Sequence, residues 1–200
     1  MKYLVFIMFL IFTGCADKIE YVNLEKSSQY STVGIDYHDI EGAATDSVES
    51  LLSSKYANKI ESKRPKVVVI SDVINDTMQS IDTEQLTRKI TRVMSRSGKF
   101  ILSLSMTGSG AKRDNMIDKA RDATNNDDYN QYTTIEKGNL IAPELSLSGK
   151  IVQKNVKISS SKQRIDYYFL LTLIDIKSGI VLWDDEVNII KIGSAKRSAW

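Results

Sequence analysis

Hydrophobic residues change their spacing several times along this chain, and each change predicts an element. Tyr3 to Phe12 is an unbroken apolar run behind the basic start Met1-Lys2. It has ten residues, whereas a membrane-spanning helix needs about 20, so the run fits a secretion signal. From Ala16 to about Thr32 the chain is polar with no sustained period, the pattern of a linker. Asp39, a candidate N-cap, precedes Ile40, Ala44, Val48, Leu51 and Leu52 at helical spacing, which predicts an amphipathic helix up to about Lys59. Lys66 to Ser71 is a continuous β-branched run after Pro65, as in a central strand buried on both faces.

Asp82-Thr83-Glu84-Gln85 resembles a capping box, and Leu86, Ile90, Val93 and Met94 follow at helical spacing until Gly98, the expected C′ residue. Phe100 to Leu104 predicts a strand. Lys112 to Ala123 predicts a short polar helix with Met116, Ile117 and Ala120 inward, followed by a turn-prone stretch from Asn125 to Tyr132 and a short helix ending near Leu140. Leu145, Leu147, Gly149 and Ile151 alternate with Ser146, Ser148 and Lys150, the period of a strand with one solvated face. After a polar loop at Ser159 to Gln163, Tyr167 to Ile176 and Ile180 to Ile190 form a hairpin about the turn Lys177-Ser178-Gly179. The expected fold is α/β (α+β): a small mixed, largely antiparallel sheet flanked by helices.

Composition narrows the chemistry. The 200 residues carry 27 basic and 25 acidic side chains, a net charge of +2, so there is no excess positive field of the kind that holds phosphate backbones or anionic lipid, and nucleic acid is disfavoured as a partner. One cysteine and one histidine build neither a disulfide framework nor a Cys/His zinc site. Asp36, His38, Asp39 and Glu41 crowd together, but without a second ligand group they read as a solvated helix entry. Asp184-Asp185-Glu186 alternates along a strand, sending Asp184 and Glu186 to one face and Asp185 to the other, and reads as a charge-protected edge. Gly108-Ser109-Gly110 lacks the spacing and lysine of a phosphate loop. Asn75-Asp76-Thr77 reads as a turn whose side chains cap backbone groups, and Trp183 as core. Trp200, beyond Lys196-Arg197, has no periodic place in the core and either docks back or meets a partner. No catalytic residue, cofactor, metal site or small-molecule substrate is expected.

Thr13-Gly14 directly before Cys15 resembles the bacterial lipobox, in which the cysteine is diacylated and becomes the mature N-terminus; Phe12 stands where leucine is usual. The expected organisation is a signal peptide at 1–14, a lipidated N-terminus and tether at 15–32, and a globular domain at 33–200. Ala16 after the cysteine, rather than aspartate, resembles the outer-membrane sorting pattern of enteric bacteria. Acyl chains at Cys15, each buried CH₂ worth about 0.8 kcal/mol, would hold the protein on a leaflet without spanning it.

The order of landmarks is more specific than any one of them: Gly34-Ile35-Asp36, Pro65 to Val69 leading into Ile74-Asn75-Asp76-Thr77, Ile81-Asp82-Thr83, Ser97 to Phe100, Ala142 to Ile151, and Thr172 to Trp183. Together with the lipobox they resemble the LpoB family of outer-membrane lipoprotein activators of penicillin-binding proteins. That resemblance implies a fold similar to the N-terminal domain of TolB, no catalysis, and docking on a bifunctional peptidoglycan synthase whose activities are stimulated; it transfers no contact residues. Enteric members carry a long proline-rich arm, whereas the only prolines here, Pro65 and Pro143, lie outside the tether. Seventeen residues reach at most ~60 Å, or about 20–25 Å root-mean-square as a coil. Two alternatives stand beside this reading: an accessory lipoprotein of another envelope complex, for secretion or flagellar assembly, and a periplasmic hydrolase using Asp184 and Glu186.

Overall fold

The computed structural model describes residues 32–106 and 114–194. Cys15, the signal and tether residues before Thr32, Gly108-Ser109-Gly110 and Trp200 lie outside the described residues. Within them, five strands form one sheet in the order β2-β1-β3-β4-β5: β1 Lys66–Asp76, β2 Phe100–Leu102, β3 Leu145–Lys157, β4 Lys162–Asp175 and β5 Val181–Ser194. Strand β1 pairs in parallel with both β2 and β3, while β3, β4 and β5 run antiparallel. The mixed, largely antiparallel sheet therefore stands as expected.

Helix α1 (Tyr37–Ser53) starts earlier and ends sooner than its periodicity implies. Asp36, not Asp39, is the N-cap: its carboxylate accepts the His38 and Asp39 N–H groups, and Asp39 reaches back to the Asp36 N–H at 2.8 Å, closing a capping box. At the other end the Ser54 hydroxyl accepts the Ala57 N–H at 3.1 Å, a local bond that competes with the helical ladder. Residues 54–60 consequently leave the helix and form a 3₁₀ turn at Ala57–Lys59, although Tyr56, Ala57 and Ile60 continue the apolar period.

Helix α2 (Thr83–Arg96) is capped by Asp82, which accepts the Gln85 N–H at 3.0 Å, and ends before Gly98 at φ 68°, the left-handed C′ position that glycine adopts without strain. Helix α3 (Asn115–Asp122) is shorter than expected, begins at the Asp114 cap, and buries nothing; Met116 is exposed rather than inward. The helix expected to end near Leu140 is absent from residues 134–144, and only a 3₁₀ turn at Gln131–Thr133 stands before them. Strand β2 stops at Leu102 rather than Leu104.

Helices α1 and α2 lie on one face of the sheet, where Val48, Leu51, Leu86, Ile90 and Met94 meet Val68, Leu147, Ile151, Leu171 and Leu173 in the main core. The alternation of β3 is realised: Leu145, Leu147, Gly149 and Ile151 are buried, and the serines and Lys150 between them are half-buried on the other face. Gly149 is needed for close packing, since a Cβ there would stand 2.9 Å from Leu171 Cδ2 and 3.2 Å from the Leu170 carbonyl oxygen. Strand β1 is interior, but burial on both faces holds only for its first half. Past a bulge between Ile70 and Val73 it continues to Asp76, and Ile74 is exposed. The hairpin turn at 176–180 is as expected, with Gly179 at φ 72°.

Candidate interaction surface

The clustered acids near the N-terminus of α1 are structural. Lys191, on the helix-side face of β5, donates to the carbonyls of Thr32 at 3.1 Å and Gly34 at 2.8 Å and to Asp36 at 3.0 Å, and it also pairs with Asp39. Burial raises the Asp36 pKa, but the Lys191 hydrogen bond and charge, with the backbone N–H groups of Asp39 and Thr32, outweigh it and hold the carboxyl below its ordinary value. Glu41 pairs across the helices with Lys89, and His38 is exposed. Among the described residues no group of metal-ligating side chains is assembled.

The same corner binds the chain segment that enters the domain. Gln79 Oε1 accepts both the Ile35 N–H at 2.7 Å and the buried Tyr167 hydroxyl at 2.9 Å. Its carbonyl takes bonds from Asn75 at 2.8 Å and Thr77 at 3.1 Å, so these side chains cap a backbone group as expected, but Asn75 and Asp76 are the last residues of β1 and the turn begins after them. Val33 and Ile35 pack on Ile165, Tyr167 and Ile189. Residues 32–36 are thus strapped to the far ends of β4 and β5, and the sequence offered no signal for Lys191 or Gln79 because their partners lie 155 and 44 residues away.

The sheet face away from α1 and α2 is different in kind. Register places Ile74, Lys150, Leu170 and Glu186 in one row across it, Val152, Tyr168 and Asn188 in the next, and Lys154, Asp166 and Ile190 beyond. Ile74, Ile190 and Ile192 are each more than half exposed there, as is Ile101 on β2. Within this patch Arg164 holds the almost fully buried Asp166 by two contacts, 3.0 Å from Nη2 and 2.9 Å from Nε. Exposed isoleucines set among charged side chains, with an arginine and a tyrosine between them, make this face the candidate protein-binding surface.

Asp184 and Glu186 are exposed on this face and Asp185 is half-buried on the other, so alternation separates them as expected and β5 is the charged edge strand. Trp183 is half-buried against the main core. No helix among the described residues is long and apolar enough to cross a membrane.

Residues 39–189 match the family described as peptidoglycan-synthase activator LpoB. Similar solved structures include the LpoB C-terminal domain from Escherichia coli, at 13% identity over 76% of this chain and 98% of that one with a TM-score of 0.45. The LpoB C-terminal domain from Salmonella enterica matches at 13% identity over 76% and 98%, TM-score 0.44. Lipoprotein GNA1162 from Neisseria meningitidis matches at 9% identity over 67% and 87%, TM-score 0.34. No curated protein sequence matches this chain. With a match that runs from the first helix through the last strand, the chain belongs to the LpoB family of peptidoglycan-synthase activators.

Proposed function

We propose that this protein is a non-catalytic lipoprotein, anchored through Cys15 on the periplasmic face of the outer membrane, that binds a bifunctional penicillin-binding protein and raises its peptidoglycan synthesis. The family match over residues 39–189 carries the reading. The lipobox-like Thr13-Gly14-Cys15 supports the anchor, and the open sheet face with Ile74, Ile190 and Ile192 offers the partner a surface. A docked domain speeds an enzyme only by binding its active conformation better than its inactive one. A tenfold preference corresponds to about 1.4 kcal/mol, which burying two exposed isoleucines supplies at about 1.5–3 kcal/mol each.

The test is addition of the purified protein to the bifunctional synthases of the same cell with glycan polymerisation as readout. Stimulation is expected, reduced at least tenfold in potency by Ile190→Glu with Ile192→Glu, both exposed and at the sheet edge. Binding to none of the synthases overturns the proposal.

A further inference from the structure

The near-balance of charge along the chain conceals an uneven distribution in space. Residues 54–66 carry Lys55, Lys59, Lys63, Arg64 and Lys66 against Glu61 alone, and α2 carries Arg88, Lys89, Arg92 and Arg96 against Glu84. The fold joins the two segments. Lys99, just past α2, donates from Nζ to the Ala57 carbonyl at 2.7 Å and to Asn58 at 3.3 Å, and its own carbonyl accepts the Lys66 N–H at 2.9 Å. Four of the cations are committed elsewhere: Arg88 to Glu84, Lys89 to Glu41, Lys66 to Glu144, and Lys99 to the loop. Lys55, Lys59, Lys63, Arg64, Arg92 and Arg96 are exposed and have no ion pair or hydrogen bond from their side chains among the described residues. Arg92 lines a separate groove with Tyr37, Ile40 and Glu41, so the positive field rests on Lys55, Lys59, Lys63 and Arg64 of the loop and on Arg96 just before Lys99, against Glu61 and Glu144. Within this corner a groove of about 340 Å³ opens between half-buried Tyr56 and Ile60 and a charged rim of Lys59, Arg64 and Lys66 with Glu61 the one acid among them. An aromatic ring with a polar tip beside lysines is what the water–lipid boundary favours.

We infer that this corner is the face on which the domain rests against a bilayer leaflet carrying anionic phospholipid, with the open sheet face left to its partner. The inference rests on the lipid anchor of the proposed function and on two observations of its own. One is charge complementarity: juxtamembrane cations on an anionic leaflet are worth about a factor of five each in partitioning, from about 1 kcal/mol per Lys or Arg. The other is length. The chain enters the domain at Thr32, at one end of α1, and the cationic loop leaves the other end, about 25 Å away for 17 helical residues. Seventeen residues, 16–32, stand between Cys15 and the domain, a length for which chain statistics give a root-mean-square span of about 20–25 Å, and effective concentration is greatest when a linker's typical span matches the separation it must bridge.

The full lipidated chain reconstituted in vesicles tests this. With Cys15 acylated, Ser95→Cys on α2 and Asn188→Cys on the open sheet face each provide a single thiol for a fluorophore, and a headgroup-labelled lipid serves as acceptor. In vesicles with about 30% phosphatidylglycerol, transfer from position 95 is expected to exceed that from position 188. It should fall to the phosphatidylcholine level in about 0.5 M NaCl and in the triple variant Lys59→Glu, Lys63→Glu, Arg64→Glu. Equal transfer in neutral and anionic vesicles, or transfer indifferent to salt, overturns the inference, and the salt arm decides it even if the triple variant does not fold. A triple variant that keeps its bilayer contact but no longer stimulates a synthase puts an acidic protein surface on this corner and likewise overturns it. Failure of the anchor is a separate outcome, seen as a chain that does not incorporate into phosphatidylcholine vesicles. Sedimentation of that unacylated chain with the anionic vesicles then decides: binding weakened about 100-fold by the triple variant supports the corner, and no binding overturns it.

Discussion

Replacing Lys191 by methionine removes the cation that ties the entering chain to β5 while keeping most of the apolar stem. The Lys191 side chain is 14% exposed and its carboxylate partners Asp36 and Asp39 are 21% and 16% exposed. The ammonium is hydrogen-bonded to the Thr32 and Gly34 carbonyls as well. Hydrogen bonds to a charged group contribute about 1.5–3 kcal/mol each, and removing one partner of a fully buried pair costs about 3–5 kcal/mol. For this partly solvated cluster, where both carboxylates retain their N-cap bonds, the expected loss is about 2–3 kcal/mol. With a urea slope of about 2 kcal/mol/M, the midpoint should fall by roughly 1–1.5 M at pH 7.

The loss must also depend on pH with a definite sign. The Asp36 carboxyl is held below its ordinary value in the folded state, so its contribution is present above the unfolded carboxylate pKa and disappears as pH falls through the depressed folded value. The gap between the parent chain and Lys191→Met should be constant from about pH 6 to 8 and narrow below about pH 4. Hydrogen exchange should show the Ile35 N–H, held by Gln79, losing protection first. A midpoint shift under about 0.3 M, or a gap unchanged between pH 7 and pH 3, would refute the account of Lys191 as the clamp.

Two further substitutions probe the packing. Gly149→Ala sets a methyl group 2.9 Å from Leu171 Cδ2 and 3.2 Å from the Leu170 carbonyl oxygen, and overpacking of this kind should cost about 1–3 kcal/mol in chemical denaturation; a neutral result would mean that β3 and β4 shift apart freely. Met116→Lys, at an exposed position of α3, should leave the thermal midpoint within the equivalent of about 0.5 kcal/mol, and a larger loss would show that α3 packs through that side chain.

Much of what depends on neighbours in the chain is legible in the sequence. Asp82 and Gly98 bracket α2 because a cap and a left-handed C′ residue act within one turn. The Leu145 to Ile151 alternation marks the buried face of β3 because side chains reverse at every residue, and Gly179 marks the hairpin for a comparably local reason. Helix boundaries were misplaced where two local options competed, as at Asp36 against Asp39 and at Ser54, whose hydroxyl ended a period that the apolar residues continued. Helical spacing points Met116 inward, yet spacing reports which residues share a face, not whether anything covers it, and Met116 is exposed.

Only the tertiary structure decided which contacts join distant segments. Strand β3 inserts beside β1, and the pairing carries β1 on past its bulge to Asp76. Lys191 and Gln79 gain their roles because folding brings the two ends of the domain together. The face of the sheet that α1 and α2 leave open, and the gathering of Lys59, Arg64 and Lys66 round one groove, cannot be read from a net charge of +2. Composition sums charge over the chain, whereas a field acts through space and depends on which residues folding makes neighbours.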